Sequence, residues 1–569
     1  MDEQGRRDRL VLLGAALACA LWGAIWGLGV QSEQAWGWDE SMHAELPAAR
    51  MLLGAQAGES ELVAHALHDC MQYPFGWPLV LAGVQAVTGL SEQACRVSGR
   101  LVWALGAFGL FLLLRECVQR MRLGRGADLA PWLALVFALS SPLAVSYSGT
   151  LFLEVPFLVA AIWGLRAWLR RGEGRLALRE IAAGAWLAAA FFTKFNYGLL
   201  LGFGLFLALL VEGQLEARAG RIRPFLLRCL WLASVPALSF LWWFVLPLPL
   251  GGETAALHRQ ALMDFLAGNT DESMATPWFY RPIDAATYLV WSPRVLVLLL
   301  VGVFCSLRRL TARPVWVLWV AGVASVLPVL AHPFHLNRFL LPGAVFVWSL
   351  AALGLAPLLP RTPRPRAAVL GALVLAVALF PARDGWALLR AVGVAQDESQ
   401  REQLEGMLAG FRDLSPGRAL DTNGLRRVEE QALLDLLEPE VRAEDRVGWI
   451  GISTLFSPAA LHVGLLARGA GSARQLLAGE LDRSFLTLGQ ADPGWDRDQL
   501  ADWARGFDLL LASEPVDLSG PGRRPFMTGY RDQLVESGYF EVRELGAVEI
   551  VRPGGTHTAR VYALRPRGG

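Results

Sequence analysis

The sequence predicts a mainly α-helical polytopic membrane protein with about 11 transmembrane helices and a C-terminal extracytoplasmic α/β domain. Of its 569 residues, 54% are hydrophobic and 18% are charged, whereas soluble domains carry about 25% charged residues. Apolar runs close to the ~20 residues that cross a bilayer recur along the first two thirds of the chain. After about Gly385 the composition becomes that of an ordinary globular domain. We therefore predict a transmembrane module at 1–384 and a soluble domain at 385–569.

The expected membrane crossings are the apolar runs themselves. They lie at residues 10–30, 97–114, 131–147, 150–169, 181–195, 198–213, 228–247, 286–306, 315–331, 339–358 and 367–381. The first run is too long for a signal peptide and lacks a small-residue cleavage site, so we predict that it stays as an anchor.

Arginine is concentrated in alternate loops. The Arg-bearing segments contain Arg6, Arg7, Arg9; Arg115, Arg120, Arg122, Arg125; Arg170, Arg171, Arg175, Arg179; Arg218, Arg221, Arg223; Arg308, Arg309, Arg313; and Arg361, Arg364, Arg366. The positive-inside rule places these segments, and with them the N-terminus, in the cytoplasm. An odd number of crossings then places the C-terminal domain outside. The net charge of +1 gives no reason to expect a nucleic-acid partner.

Two loops on the predicted outer side are long, at 31–95 and 248–285. Both contain aromatic residues and amphipathic stretches, such as 76–89, which we expect to form helices at the membrane interface. Long amphipathic loops indicate a functional site at the outer surface.

The C-terminal domain has an α/β pattern. Strand-like runs at Val447–Ile452 and Phe507–Ala512 alternate with helices near 458–468 and 496–506, and a helix near 528–537 precedes a strand pair at 539–544 and 558–564. It has no glycine-rich phosphate loop and no cysteine. We expect it to fold by itself and to serve packing or acceptor presentation.

In the first long loop, Cys70 and Cys95 could form a disulfide, although nothing fixes their separation.

The densest group of reactive side chains follows the first crossing. Asp39, Glu40, His43 and Glu45 stand within seven residues of one another. A solvated loop or helix cap would explain them equally well, because acidic residues are favoured at helix N-termini.

The order of motifs resembles the GT-C glycosyltransferases, in particular the lipid A aminoarabinose transferases and the protein O-mannosyltransferases. The resemblance rests on the acidic pair, a helical Ala-Glu-x-x-x-x-Arg-Met run, and later motifs in the same order. These are residues 39–51, 73–79, 91–96, 193–194 and 337–342, and the resemblance covers roughly residues 10–360. It implies an inverting, polyprenyl-phosphate-sugar-dependent glycosyltransferase in a bacterial-type inner (cytoplasmic) membrane, acting at the outer face on a lipid, glycan or protein acceptor.

The resemblance also implies roles for particular residues. Asp39 would be the catalytic base and Glu40 its neighbour, orienting acceptor or sugar. Lys194, the single lysine of the chain, would bind the donor phosphate, with Arg338 as the second cation. Glu154 looks like the second acidic site. Lys194 could instead be an interfacial residue that snorkels, and Glu154 a helix-start carboxylate.

Three further residues are candidate substrate contacts: His43, Tyr73 and His335. His332 and His335 could bind a divalent metal, but such a bare pair is more often interfacial, so the metal is left open. The sequence departs from the family in three places: at His43, where tyrosine is usual; at Pro47, which interrupts a helix; and at Gln72-Tyr73, where an acidic-basic pair is usual. These departures leave the aminoarabinose donor open.

Two other classes of function compete with the enzyme. The chain could be a non-catalytic membrane scaffold, or an inactive GT-C relative, that presents its soluble domain to partners. A transporter is disfavoured, because the sequence has no evident internal duplication. Expected partners of the enzyme are a polyprenyl-phosphate sugar, membrane lipids and an unidentified acceptor.

Overall fold

Most of the apolar runs form helices. The computed structural model describes residues 3–28, 40–60, 63, 66–67, 74–121, 127–171, 176–242, 293–331, 337–358, 425–442, 444–452, 458–470, 485–487, 496–514, 532–552 and 555–567. Up to residue 358 its α-helices are α1 (Glu3–Leu28), α2 (Leu46–Ala57), α3 (Gly76–Thr88), α4 (Glu92–Arg120), α5 (Ala130–Ser140), α6 (Pro142–Ser148), α7 (Glu154–Leu169), α8 (Leu176–Thr193), α9 (Phe195–Arg218), α10 (Ile222–Phe240), α11 (Pro293–Ser306), α12 (Arg313–Ala331) and α13 (Leu341–Leu355).

The chain is a mainly α-helical polytopic membrane protein. Helices cover ten of the eleven predicted runs, and the run at 367–381 lies outside the described residues. Within the described residues, six helical stretches are long and apolar enough to cross a bilayer: Asp8–Ile25, Glu92–Arg120, Phe195–Arg218, Ile222–Phe240, Arg313–Ala331 and Arg338–Leu358. The total of eleven crossings stays a prediction.

One predicted run is divided in the structure. The run at 131–147 forms α5 and α6, which are separated at Ser141, where the backbone is extended with φ −65° and ψ 123°. The cause is Pro142, because the ring of a proline disfavours the α conformation of the preceding residue. Apolar composition alone could not show this break.

By its internal contacts the chain divides into two compact units. Unit 1 contains Met1–Val30 and Arg96–Asp421, and unit 2 contains Gln31–Cys95 and Thr422–Gly569. The first long loop therefore belongs to the same unit as the C-terminal α/β domain. The predicted boundary at residue 384 and the second long loop, 248–285, lie outside the described residues and stay predictions, as does the pairing of Cys70.

Four helices of unit 1 are joined at one end by a buried charge network. Arg171, just after α7, lies 2.7 Å from Glu212 of α9 and 3.8 Å from Glu180 of α8. Arg313, at the start of α12, lies 2.9 Å from the other oxygen of Glu212. Buried charges are tolerated when they are paired in this way. One of the arginines that the topology prediction assigns to loops, Arg171, thus packs inside the protein, whereas Arg313 stays partly exposed.

Unit 2 contains a five-stranded mixed sheet. Besides α2 and α3, it contains the helices α14 (Arg427–Leu437), α15 (Pro458–Ala467) and α16 (Arg497–Ala504), and its strands are β1 (Val447–Ile452), β2 (Phe485–Thr487), β3 (Leu509–Glu514), β4 (Phe540–Arg552) and β5 (Gly555–Pro566). The strand order is β2-β1-β3-β5-β4. β1 pairs in parallel with β2 and β3, whereas β5 is antiparallel to β3 and β4. The predicted α/β pattern is present in this part of the chain.

Both faces of the sheet are buried, because alternate residues of its strands enter two different cores. Val447 and Trp449 of β1 enter the core that α14 and α15 cover. Ile450 of the same strand enters the second core, with Leu500 and Ala504 of α16. This alternation follows from the two-residue period of a β-strand.

The core under α14 and α15 also contains part of the first long loop. Leu46 and Ala49 of α2 are at most 1% exposed and pack in the same cluster as Leu433 and Val561. The sequence predicted a C-terminal domain that folds by itself. The structure differs, since this domain buries a helix that lies nearly 400 positions earlier in the chain. Burial of Leu46 alone stabilises this packing by roughly 1.5–3 kcal/mol.

A buried histidine lies in this core. His462 of α15 is 3% exposed, and neither of its ring nitrogens forms a hydrogen bond with a described residue. Burial, and then the positive charge of Arg50 on α2, lowers the pKa of the imidazole from 6.5 to about 4. The side chain is therefore neutral at pH 7 in folded unit 2.

We predict that unit 2 loses stability as the pH falls from about 6.5 toward 4. The folded pKa is lowered, so over this window the unfolded chain binds a proton that the folded unit excludes, and full stability is present only above the unfolded pKa. The loss is at most about 1.4 kcal/mol per pH unit. Hydrogen exchange of β1 and β3, corrected for intrinsic rates, measures it. In His462→Leu the same protection should vary much less with pH, and equal pH dependence in both proteins would contradict the prediction.

Candidate functional site

Three charged residues that the sequence indicated separately meet at one end of unit 1. Glu154 is the first residue of α7. Lys194 is the extended residue, with φ −153° and ψ 99°, that separates α8 from α9. Arg338 belongs to a short 3₁₀ turn, Asn337–Leu340, that leads into α13. Each side chain therefore stands where a helix begins or ends.

Both cations bind the same carboxylate. The Nζ atom of Lys194 donates a hydrogen bond to Oε1 of Glu154 at 2.5 Å. The Nε atom of Arg338 lies 3.2 Å from the same oxygen. The three residues are buried, at 4%, 9% and 0% exposure for Lys194, Arg338 and Glu154. We name these three residues the charged cluster.

Aromatic rings surround the two cations. The ammonium of Lys194 lies 4.9 Å from the ring centre of Tyr197, and the guanidinium of Arg338 lies 4.3 Å from that of Phe152. Phe339 lies within 6 Å of both cations. Such contacts stabilise a desolvated cation by up to about 2 kcal/mol. They favour a buried, charged lysine over a side chain that snorkels to the membrane surface.

The cluster combines two cations with one carboxylate. Its three side chains carry one net positive charge. The second carboxylate oxygen of Glu154, Oε2, is buried and accepts no hydrogen bond from the part of the chain that the structure describes. A ligand with both an anionic group and a hydroxyl group would therefore meet donors and an acceptor together.

A second group of charged residues lies in unit 2. Glu40, His43, Glu45 and Arg50 are all buried. Glu40 precedes the π-helical turn Ser41–Glu45, which contains His43 and Glu45, and Arg50 lies in the first turns of α2. Asp39, Tyr73 and His335 lie outside the described residues, so their predicted roles stay predictions.

The π-helical turn has a local cause. Pro47 stands in the first turn of α2 and has no N–H, and its ring disfavours regular α-helix before it. The N–H of Leu46 instead donates to the carbonyl of Ser41, five residues earlier. The predicted interruption at Pro47 is therefore present, as a π-helical turn followed by an α-helix. Single π-helical turns occur frequently at functional sites.

An apolar groove runs along α9 between α8 and α10. Its volume is about 940 Å³, and its lining includes Gly198, Gly202, Phe206, Leu209 and Ala237. Gly198 donates its N–H to the carbonyl of Lys194, so the groove begins one helical turn from the charged cluster. It continues to Cys229 and Trp168, close to the charge network at the opposite helix ends.

The described residues contain no group of three or more side chains that could hold a metal ion. His332 and His335, which the sequence analysis considered as a metal pair, lie outside these residues. Metal dependence therefore stays open.

The aromatic contacts and one buried arginine were not predicted from the sequence. Phe152 and Phe339 stand within two residues of Glu154 and Arg338, and Tyr197 follows Lys194 by three positions on α9. Their closeness to a charged residue at a helix end was an available signal. Arg96 is the last residue of the family-like motif at 91–96. Nothing in its sequence neighbourhood showed that its guanidinium contacts Gly149, in the segment that precedes α7.

The chain has the GT-C fold of polytopic membrane proteins. The solved structure of ArnT, the lipid A aminoarabinose transferase, from Cupriavidus metallidurans in the apo state matches with a TM-score of 0.57 and 14% identity. The same enzyme bound to undecaprenyl phosphate matches with a TM-score of 0.51 and 13% identity. Each match covers 99% of this chain and 98% of the other. No protein-family model matches the chain, and no curated protein does.

Proposed function

We propose that the protein is an inverting glycosyltransferase that moves a sugar from a polyprenyl-phosphate carrier to a lipid, glycan or protein acceptor at the outer face of the membrane. The observation that supports this most is the charged cluster, in which Lys194 and Arg338 hold one carboxylate inside a membrane protein. The GT-C fold and the undecaprenyl phosphate in the similar ArnT structure agree with it.

The reaction requires a base and a stabilised leaving group. In the proposed step, Asp39 takes the proton of an acceptor hydroxyl, whose oxygen attacks the anomeric carbon from the side opposite the phosphate. The bond from that carbon to the phosphate oxygen breaks, and the polyprenyl phosphate leaves with the electron pair. A single displacement of this kind inverts the anomeric centre and needs no covalent intermediate.

The charged cluster stabilises the phosphate in this proposal. Negative charge develops on the leaving phosphate in the transition state, and preorganised cations in a site without water are suited to it. Glu154 holds the two cations in place before the donor binds, and its Oε2 can accept a hydrogen bond from a sugar hydroxyl. Glu40, which is 2% exposed, orients acceptor or sugar beside Asp39.

The apolar groove is suited to the hydrocarbon chain of the donor. It begins one turn from Lys194, so a lipid whose phosphate meets the cluster can place its chain along α9. Each buried CH₂ group stabilises such binding by about 0.8 kcal/mol. A long polyprenyl chain should therefore bind more tightly than a short one.

Filling the groove should remove this preference for long chains. We predict that Gly202→Trp raises KM at least about tenfold for a long polyprenyl donor and leaves KM unchanged for a donor with one or two isoprene units. Val211→Trp is the matched control, because Val211 is an exposed residue of α9 outside the groove lining. Equal effects of Gly202→Trp on both donors would contradict this placement of the chain.

A non-catalytic scaffold is the competing proposal. Purified protein in lipid nanodiscs, given a pool of polyprenyl-phosphate sugars and membrane extract, should release polyprenyl phosphate detectable by mass spectrometry. A scaffold would bind partners through unit 2 and release none. Addition of a chelator to the same assay decides whether a divalent metal takes part.

The proposed location is a bacterial-type inner membrane, with the N-terminus in the cytoplasm and the C-terminal domain outside. The arginine distribution supports this orientation. After replacement of the six native cysteines, single cysteines can be introduced in the C-terminal domain and labelled in intact cells with an impermeant reagent. Labelling that requires permeabilised cells would overturn the topology.

A further inference from the structure

The segment that leads into Glu154 is buried although it belongs to neither a helix nor a strand. Residues 149–153, here called the connector, join α6 to α7, and they are buried throughout. The hydroxyl of Thr150 donates to the carbonyl of Tyr147 at 2.8 Å, and the N–H of Phe152 donates to that hydroxyl at 3.4 Å. Buried backbone outside helices and strands is rare, because its polar groups need partners.

Arginines of α4 supply further partners on one side of the connector. Arg96 and Arg100 stand four positions apart, on one face of α4, and each is 2% exposed. Nη1 of Arg96 donates to the carbonyl of Gly149 at 3.1 Å. The guanidinium of Arg100 lies against the same glycine, so closely that a Cβ atom on Gly149 would stand 2.8 Å from Nη2.

The backbone of α4 also approaches this region directly. A Cβ atom on Gly99 would lie 2.5 Å from the carbonyl oxygen of Ser148 and 3.3 Å from that of Thr150. Neither distance leaves room for a side chain. Gly99, Arg96 and Arg100 therefore form one surface of α4 that packs against the start of the connector.

The other side of the connector touches the charged cluster. Phe152 lies under the guanidinium of Arg338, 4.3 Å from ring centre to Cζ, and Glu154 follows two residues later. A shift of the connector therefore moves the carboxylate that holds Lys194 and Arg338. In enzymes, misplacement of a reacting group by about 1 Å can cost about 100-fold in rate.

We propose that Arg96 and Arg100, with Gly99, are positioning residues that fix Glu154 between Lys194 and Arg338 by holding the connector. Arginine is suited to this, since its rigid planar fork offers several donors to carbonyl oxygens in a fixed direction. The consequence for donor binding rests on the proposed function. The placement of Glu154 itself does not.

The single lysine of the chain allows a test that needs no enzymatic activity. An amine-reactive reagent can modify only Lys194 and the N-terminal amine, and mass spectrometry of peptides separates the two. Because Lys194 is buried and paired with Glu154, it should react slowly in the wild-type protein. Glu154→Gln weakens the pair and sets the fast reference rate.

Gly149→Ala should raise the rate of Lys194 modification at least several-fold over the wild-type rate, toward the rate in Glu154→Gln. The reason is that the new Cβ displaces the connector from Arg100. Gly83→Ala is the matched control, since a Cβ atom there meets nothing within 4 Å, and its rate should equal the wild-type rate. If Gly149→Ala fails to fold, Arg96→Met, which removes the bond to Gly149 without adding volume at the glycine, takes its place.

Two outcomes separate the positioning proposal from the proposed function. Wild-type rates in both Gly149→Ala and Arg96→Met, beside a fast Glu154→Gln, would overturn the proposal. Absence of donor turnover in the wild-type protein, with labelling as expected, would overturn the proposed function and leave the positioning role intact. In an active protein, both variants should raise KM for the donor at least about tenfold, while Gly83→Ala leaves it unchanged.

Discussion

Lys194→Met is expected to weaken donor binding roughly 10- to 150-fold. One charge-assisted hydrogen bond to the phosphate contributes about 1.5–3 kcal/mol, which corresponds to this range. The methionine retains the unbranched apolar stem of the lysine and loses the ammonium, together with its contacts to the rings of Tyr197 and Phe339. Titration with polyprenyl phosphate, followed by native mass spectrometry, measures the change.

Loss of the ammonium also leaves Glu154 with fewer partners, and stability has to be separated from binding. Breaking a buried ion pair costs about 3–5 kcal/mol when the remaining charge is left without compensation. In Lys194→Met the guanidinium of Arg338 still compensates the charge of Glu154, so the loss of stability should be smaller than this. Thermal unfolding of the variant measures it.

Arg171→Met provides the matched control for Lys194→Met. Arg171 is equally buried and lies 2.7 Å from Glu212, but it belongs to the charge network at the opposite helix ends. We expect it to destabilise the protein and to leave the affinity for a donor with one or two isoprene units unchanged. Wild-type donor affinity in Lys194→Met would exclude Lys194 from the phosphate site.

Asp39→Asn is expected to abolish transfer while donor binding is retained. General-base catalysis contributes about 100- to 10,000-fold in rate, and asparagine cannot accept the proton of the acceptor hydroxyl. The amide has the same shape as the carboxylate, so folding and membrane insertion should be preserved. The measurement is the rate of polyprenyl phosphate release at saturating donor.

The control for Asp39→Asn is Glu59→Gln, which removes a carboxylate from an exposed position of the same loop. It should leave turnover unchanged. Glu40→Gln, at a buried neighbouring position, should lower turnover less than Asp39→Asn if it only orients a substrate. Near-normal turnover by Asp39→Asn would contradict its assignment as the base.

Much of the candidate site was accessible from local signals. Glu154 and Arg338 stand at the ends of apolar runs, and Lys194 is the single lysine. Each could be singled out alone, because a charge beside a membrane segment is costly and calls for a functional explanation. Their mutual contact was not accessible, since Lys194 and Glu154 are 40 positions apart and sequence spacing says nothing about which helix ends meet.

By itself, the sequence determined that the chain is a polytopic helical membrane protein and where most of its helices and strands lie. These properties depend on hydropathy and on periods of a few residues, which act locally along the chain. Only the tertiary structure decided which charges share a buried cluster, that α2 completes the core of the C-terminal domain, and that Arg171 lies inside the protein. The physical reason is that burial of a charge or of an apolar face depends on the partner that covers it. In this fold the partners come from distant parts of the chain.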